Sequence, residues 1–244
     1  MSVERLAELV RNSKRTVALT GAGISVPSGI PDFRSPGTGL WEKVDPMEVA
    51  HISVFLQDPQ RFWSYYRPRF GMLSDKQPNP AHRALAELEA RGMLEAVVTQ
   101  NIDTLHRKAG SRRVIEVHGT IETGSCWDCR AGYPLEQVAT MFDDEGVARC
   151  GCGGAVKPDV VLFGEMLPEQ AMEDAYALCA SADLLLCVGT SLEVHPVAGL
   201  PEVTRRGGGS IAIVTMGPTP YDSQADVRLE GDVVEELEAL LRAL

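Results

Sequence analysis

The feature that most constrains the fold of this chain is a glycine-rich turn placed directly after a short apolar run. Residues 17–19 are aliphatic, and residues 21–25 read Gly-Ala-Gly-Ile-Ser. This order is typical of a buried parallel strand that opens into a phosphate-binding loop, because glycines let the backbone approach a pyrophosphate closely. The third glycine of the common dinucleotide fingerprint is absent from its usual position. Beyond the turn, residues 31–34 add a carboxylate, an aromatic ring and a guanidinium.

Length and charge exclude several classes of protein. The 244 residues suffice for a full core, as one large domain or a domain with an insertion. The net charge of −11 argues against general binding to nucleic-acid backbones and is compatible with basic peptide segments around lysines. No apolar run approaches the roughly 20 residues of a membrane span, and the first residues do not resemble a signal peptide. We therefore expect a cytoplasmic protein, and a monomer, that binds neither nucleic acid nor membranes.

Predicted strands alternate with predicted helices along most of the chain. Apolar periodicity predicts helices near residues 3–10, 80–92, 102–109, 168–180, after 196 and from 233 onward, and strands at 96–99, 114–117, 184–188 and 211–214. This alternation indicates an α/β protein with a Rossmann-like, doubly wound parallel sheet. Two stretches interrupt it. Residues 35–79 carry five prolines and many aromatic side chains, and we expect an irregular loop with short helices there.

The second interruption carries a cysteine cluster. Cys126 and Cys129 are separated by two residues, and Cys150 and Cys152 by one. Two pairs of thiolates can complete a tetrahedral zinc shell with no open position, so we expect one structural zinc ion. Chance proximity or a redox pair are the alternatives. The remaining two cysteines lie in apolar surroundings and are expected to be buried thiols, not disulfide partners.

Polar clusters follow three of the predicted strands. They lie at residues 99–103, at His118 with Gly119, and at residues 189–191. Open α/β sheets bind ligands at the carboxyl ends of their strands, so these clusters and the glycine-rich turn are predicted to meet in one crevice. Taken singly, each has a purely structural explanation, such as a buried core histidine, a helix cap or a turn.

In combination these stretches resemble the sirtuin family of NAD-dependent protein-lysine deacylases, in the form of a minimal bacterial or archaeal member. The resemblance runs in order from about residue 6 to residue 241 and rests on residues 21–25, 29–34, 99–103, 118–119, 163–165, 189–191 and 219–220 with the four cysteines. It implies a Rossmann-like NAD-binding domain made of residues 1–34, 80–121 and 156–244. A helical cofactor-loop insertion (35–79) and a zinc-binding insertion (122–155) would form a smaller domain.

The resemblance also implies a mechanism and its residues. NAD is a co-substrate there: the acyl oxygen of the modified lysine attacks the nicotinamide ribose, His118 acts as general base on a ribose hydroxyl, and O-acyl-ADP-ribose, nicotinamide and free lysine result. Asn101 and Asp103 would be catalytic partners that position the ribose and the carboxamide. The implied NAD contacts are Gly21, Ala22, Gly23, Ser25, Asp32, Phe33, Arg34, Gln100, Asn101, Ile102, Asp103, Gly189, Thr190, Ser191, Thr215, Asp232 and Val233. The implied contacts to an acyl-lysine peptide are Val161, Phe163, Gly164, Glu193 and Val194.

Two features, at three positions, set this chain apart from the general pattern. Thr215 stands where the family usually has an asparagine, which predicts weaker binding of the adenosine ribose. Tyr66 and Arg69 resemble the pair that reads a succinyl or malonyl carboxylate in one branch of the family, and a guanidinium fork with a phenol suits that group. The alternative is a strict deacetylase in which both residues only support a surface helix, whose spacing Pro68 could disturb.

Two other classes of function remain as alternatives. An NAD oxidoreductase would carry the usual glycine fingerprint, whose third glycine is missing here. A zinc-ribbon module for nucleic acid would need a basic surface, whereas the cysteine-bearing stretch holds more acidic than basic residues.

Overall fold

The predicted parallel sheet is present, with the carboxyl ends of its strands along one edge. The computed structural model of the protein describes residues 2–32, 39 and 44–244. The strands are β1 Thr16–Thr20, β2 Ala96–Thr99, β3 Val114–Glu116, β4 Gly119–Cys126, β5 Gly132–Pro134, β6 Val156–Val160, β7 Leu184–Val188, β8 Ser210–Val214 and β9 Val227–Leu229. The α-helices are α1 Val3–Asn12, α2 Pro46–Val49, α3 Ile52–Gln57, α4 Pro59–Ser74, α5 Pro80–Ala90, α6 Leu105–Lys108, α7 Leu135–Val138, α8 Glu169–Ser181, α9 Leu200–Arg206 and α10 Val233–Ala243. Short 3₁₀ segments cover Ala22–Ser28, Val197–Gly199 and Asp222–Gln224.

The larger sheet has the strand order β3-β2-β1-β7-β8-β9. Every neighbouring pair in it is parallel. The chain builds outward from β1 in both directions, so the crevice of a doubly wound sheet opens between the loops after β1 and β7. The predicted fold class is confirmed.

Both faces of this sheet are covered by helices, which explains why its strands are almost continuously apolar. Ala18 of β1 and Leu186 of β7 pack in one core with helices α1, α5 and α10. Leu19 and Cys187, one residue further along the same strands, pack in the other core with α8 and α9. The two cores hold the strand ends at fixed relative positions, and the site is built on those ends.

The smaller part of the molecule has its own sheet and core. Strands β5, β4 and β6 form an antiparallel sheet in that order. Its side chains share an aromatic core with helices α3 and α4, in which Trp63 is buried and its indole N–H donates to the Val156 carbonyl at 3.0 Å. The helical and cysteine-bearing stretches therefore stabilise each other.

The predicted domain division remains a prediction. Strand β4 begins at Gly119 and pairs with β6, which ends at Val160. The antiparallel sheet thus extends past both ends of the predicted zinc insertion (122–155), because β4 and β6 are the two stems by which the chain enters and leaves it.

The expectation of only short helices in residues 35–79 is wrong for part of that stretch. Helix α4 is 16 residues long and continues through Pro68. Asp58 caps it by accepting from the Arg61 N–H at 2.9 Å, and its buried aromatic residues anchor it to the small core. Packing of this face outweighs the hydrogen bond that Pro68 cannot donate. Strands β4, β5, β6 and β9 were not predicted.

In the part of the chain that the structure describes, no helix is both long and apolar enough to cross a membrane.

Candidate active site

The glycine-rich loop after β1 packs against the turn after β7. The Gly23 N–H donates to the Gly189 carbonyl at 2.8 Å, and a Cβ at Gly23 would lie 2.8 Å from that same oxygen. A Cβ at Gly21 would lie 2.9 Å from it. These glycines are therefore required by the contact between the two loops, whether or not they also bind a phosphate.

The other predicted residues of this loop are only partly described. Ala22 follows Gly21 and begins the 3₁₀ segment, and Asp32 lies at the end of the described segment. Phe33 and Arg34 lie outside the described residues.

Three predicted site residues form a buried hydrogen-bonded network beneath this loop. Ser25 donates its hydroxyl proton to Asp103 Oδ2 at 2.6 Å. The Asn101 amide donates to Ser25 Oγ and to the Gly21 carbonyl, both at 3.1 Å. Asp103 Oδ1 accepts from the Leu105 N–H at 2.9 Å, so this carboxylate also holds the first residue of helix α6. Burial raises the pKa of Asp103, against the hydrogen bonds from Ser25 and Leu105.

Two histidines that sequence reasoning missed lie behind this network. His82 Nε2 is 3.4 Å from Ser25 Oγ, and His106 Nε2 is 2.9 Å from Thr20 Oγ1. Burial lowers the pKa of His82 to about 4 and that of His106 to about 3, so both rings are neutral near pH 7. The signal available in the sequence was the position of His82 on the apolar face of the predicted helix α5.

His118 lies at the carboxyl end of β3 and is partly buried. Its Nδ1 is 3.0 Å from the Gln100 carbonyl oxygen. Because a carbonyl can only accept a hydrogen bond, Nδ1 carries the proton, and Nε2 is unprotonated in the neutral ring. Burial lowers the pKa of His118, while the bond to Gln100 opposes the shift. The ring is consequently neutral near pH 7, with Nε2 as its basic atom.

Gly119 has a structural reason to follow His118. Its φ is +77°, and a Cβ there would lie 2.0 Å from the Asp159 carbonyl in β6. Only glycine lets β4 and β6 approach this closely. The same approach brings Val161 to His118, whose carbonyl accepts from the Val161 N–H at 2.9 Å.

The ends of β2 and β7 are joined by side chains. Gln100 Nε2 donates to Thr190 Oγ1 at 2.9 Å, and Thr190 is buried. Gly189 has a φ of +60° and directs the chain from β7 into this turn, with Ser191 next along it. Ile102 is partly buried against the small core. The structure thus places these predicted contacts on the same edge as His118.

On the β8–β9 side of the same carboxyl edge, Thr215 directly follows β8, and Asp232 lies in the turn after β9. The Thr215 N–H donates to the Leu229 carbonyl at 3.1 Å. Asp232 Oδ1 accepts from the Val234 N–H at 2.8 Å and caps helix α10, and Val233 is buried in the core. One carboxylate oxygen of Asp232 is therefore already used within the protein.

In the predicted peptide-binding segments, some backbone groups already form hydrogen bonds within the protein. The Phe163 N–H donates to the Ala50 carbonyl at 2.8 Å, and the Phe163 carbonyl accepts from the Ile52 N–H at 2.9 Å. The backbone of Phe163 therefore has both its polar groups paired, while its ring is 36% exposed next to Gly164. On the opposite segment, Glu193 is exposed and the Val194 carbonyl accepts from the Ala198 N–H.

Tyr66 and Arg69 keep helical spacing on α4, and both contact aromatic neighbours. The Tyr66 ring lies 4.6 Å from the Phe62 ring and 5.3 Å from the Phe70 ring, centroid to centroid. Burial raises the pKa of the Tyr66 phenol. The Arg69 guanidinium lies 3.5 Å above the Tyr65 ring and donates to the Tyr65 carbonyl.

The four cysteines of the second interruption come together. Their sulfur atoms all lie within 4.8 Å of one another, with Cys126 and Cys152 3.5 Å apart and Cys129 and Cys150 3.5 Å apart. Ligands 2.3 Å from a tetrahedral zinc ion are about 3.8 Å apart, so this donor set fits one structural zinc. The one-residue spacing of the second pair does not prevent the arrangement.

These features define a class of protein: an α/β fold with a dinucleotide-type crevice, a polar network under its glycine loop, and a four-cysteine zinc site in a smaller antiparallel part. A family model described as "Sir2 family" matches residues 21–196. The chain belongs to the Sir2 family, and the expected resemblance to sirtuins is confirmed.

Named relatives cover the chain almost completely. An NAD-dependent protein deacetylase of Sulfolobus acidocaldarius is 43% identical, over 98% of this chain and 97% of the relative. A solved complex of Sir2 with a p53 peptide and NAD⁺ has a TM-score of 0.91 and 41% identity, covering 99% of this chain and 98% of that one. Sir2Tm bound to a propionylated peptide has a TM-score of 0.91 and 40% identity, with the same coverage. The expectation of NAD as the cofactor agrees with these relatives.

Proposed function

We propose that the protein is an NAD-dependent protein-lysine deacylase. The observation that carries the proposal is the hydrogen bond from His118 Nδ1 to the Gln100 carbonyl, which sets Nε2 as a base at the edge that also holds Asn101 and Asp103. An NAD oxidoreductase would be expected to carry the third glycine of the dinucleotide fingerprint, which this chain lacks. The names of relatives more than 40% identical, which include protein deacetylases, support the same activity.

His118 acts as the general base. NAD, when bound, supplies an electrophilic ribose carbon from which nicotinamide departs. His118 Nε2 removes the proton of a ribose hydroxyl, and the Gln100 carbonyl stabilises the imidazolium that forms by keeping its bond to Nδ1. A neutral ring near pH 7 suits this task, because the base must be unprotonated when the substrates bind.

Asn101 and Asp103 position the nicotinamide end of the cofactor. Their side chains are held by Ser25 and by the Gly21 carbonyl, which fixes the polar groups in place before NAD arrives. Preorganised dipoles of this kind avoid the cost of reorientation during the reaction.

The acyl-lysine peptide lies between the segments around Gly164 and Glu193. With both backbone groups of Phe163 already paired, and the Val161 N–H bonded to the His118 carbonyl, we assign main-chain pairing with the peptide to Gly164 and the Val161 carbonyl. Contact with the acyl-lysine stem is assigned to the exposed Phe163 ring. The exposed Glu193 favours basic residues near the modified lysine.

For the acyl group we propose acetyl and other short neutral chains. The relative bound to a propionylated peptide supports this range. Removal of succinyl or malonyl groups stays a second candidate, carried by Tyr66 and Arg69. Arg69 would have to leave the Tyr65 ring to read a carboxylate, so we expect this activity to be the weaker one.

The test is incubation of the purified protein with NAD and matched acetyl-lysine and succinyl-lysine peptides, with O-acyl-ADP-ribose followed by mass. We expect product from the acetyl peptide, and a loss of any succinyl product in Tyr66→Phe and Arg69→Met with acetyl turnover retained. Absence of product from both peptides, or formation of reduced nicotinamide with an alcohol, would contradict the proposal. Equal loss on both peptides in these variants would assign Tyr66 and Arg69 to the scaffold.

A further inference from the structure

A buried arginine occupies an apolar position on the edge strand β9. Arg228 lies between Val227 and Leu229, which both pack in the core shared with α10. Its side chain points to the opposite face of the strand and is only 7% exposed. Because burial of an unpaired charge is costly, this guanidinium needs hydrogen-bond acceptors within the protein.

The acceptors of Arg228 come from two separate strand ends. Its Nη1 donates to the carbonyls of Thr215 and Leu229, each at 2.5 Å, and its Nη2 to the Gly217 carbonyl at 2.6 Å. Thr215 and Gly217 belong to the loop after β8, and Leu229 ends β9. One side chain therefore ties the backbone of both ends together.

Asp222 completes this arrangement from the far end of the loop. Its Oδ1 is 2.9 Å from Arg228 Nε and 2.7 Å from Thr219 Oγ1. Although burial acts in the opposite direction, hydrogen bonds from Thr219 and the charge of Arg228 hold the pKa of Asp222 below its ordinary value. The charge of Arg228 is thus neutralised, and residues 215–222 are anchored at both ends.

The loop held in this way carries Thr215. The Thr215 N–H and carbonyl are bonded to Leu229 and Arg228, but among the described residues its hydroxyl has no hydrogen-bond partner. Within the described residues, this part of the site is therefore positioned through the backbone of Thr215, not through its side chain. A single hydroxyl in place of an amide gives the ligand fewer contacts, so its prior placement matters more for affinity.

We propose that Arg228 is a positioning residue for the adenosine half of NAD. It orders the loop that carries Thr215 against the turn that leads to Asp232, so that both meet the nucleotide without a further ordering cost. This inference rests on the proposed function, since that function places the adenosine at the carboxyl ends of β8 and β9.

The test compares Arg228→Leu and Arg228→Lys with the unmodified protein. Loss of a buried charged hydrogen-bond donor is expected to raise the KM for NAD about tenfold and to weaken ADP-ribose binding, measured by calorimetry, by the same factor. The kcat at saturating NAD and the KM for the acyl peptide should stay unchanged. The lysine variant keeps the charge and should recover part of the affinity.

Arg113→Leu is the matched control. Arg113 pairs with Glu95 at 2.7 Å at the opposite, amino-terminal edge of the sheet, and its loss should leave the KM for NAD unchanged. Asp222→Asn is the second variant should Arg228→Leu fail to fold, and it should weaken ADP-ribose binding in the same direction.

Several outcomes would overturn the inference: a folded Arg228→Leu protein with an unchanged KM for NAD and unchanged ADP-ribose affinity, or an equal effect on the peptide KM and kcat. If the first variant does not fold, unchanged ADP-ribose affinity in Asp222→Asn would do the same. An unmodified protein that binds ADP-ribose but removes no acyl group would contradict the proposed function alone, because the calorimetric comparison still decides the role of Arg228. No binding of ADP-ribose at all would contradict both.

Discussion

The two ends of the crevice are organised by different kinds of hydrogen bond. At the end formed by β1 and β2, the side chains of Ser25, Asn101 and Asp103 bond mainly to one another. At the end formed by β8 and β9, the Arg228 side chain bonds to backbone carbonyls. The first arrangement fixes polar side chains relative to one another, while the second fixes the path of the chain. Substitutions at the first end should therefore change the rate of reaction, and those at the second end the affinity for the nucleotide.

The largest effect is expected from His118→Ala. Removal of a general base is expected to lower kcat by about 10²–10⁴-fold. The measurement is the rate of O-acetyl-ADP-ribose formation at saturating NAD and acetyl peptide. A thermal unfolding midpoint close to that of the unmodified protein serves as the control for folding. Retention of full activity would exclude His118 as the base.

Asp103→Asn separates activity from stability at the same end. Burial raises the pKa of Asp103, so this carboxyl lowers the stability as the pH rises from the ordinary aspartate pKa through the raised pKa of the folded state. Asparagine removes the charge, so the free energy of unfolding at pH 7 should not fall, while kcat should drop by about ten- to a hundredfold because Ser25 loses its charged partner. Chemical denaturation and steady-state kinetics measure the two quantities. A loss of stability with unchanged kcat would limit Asp103 to a structural role at the start of α6.

Thr215→Asn should give the smallest effect, at the other end. An amide adds a donor and an acceptor where Thr215 offers one hydroxyl, so the KM for NAD is expected to fall by about two- to fivefold with kcat unchanged. Initial rates at varied NAD measure it, and the same rates at varied acetyl peptide are the control. A higher KM would mean that threonine fits this site better than the usual residue.

The sequence allowed the fold class and the cysteine cluster to be predicted, because both depend on local pattern. Apolar runs closed by glycine marked β1 and β7, and the paired cysteines marked the zinc site. The length of α4 was not predictable, since tertiary packing of Trp63 and its aromatic neighbours outweighs the local effect of Pro68. Arg228 was missed because most of its partners are backbone carbonyl groups, which every residue type possesses.

The glycines show the same limit in another form. The sequence predicted Gly21 and Gly23 as a phosphate-binding feature, but their contact with Gly189 depends on how two loops meet in space. The proposed NAD contacts of these residues therefore remain predictions. The requirement for glycine at both positions is explained independently by their close contact with Gly189.

The separation between the two ends of the crevice is tested most directly by the affinity of His118→Ala for ADP-ribose, measured by calorimetry beside that of the unmodified protein. We predict dissociation constants that agree within about twofold, because His118 is bonded to Gln100 and contributes to reaction, not to the nucleotide-binding backbone. A loss of ADP-ribose binding that parallels the loss of turnover would contradict this account and would make the crevice a single, indivisible unit.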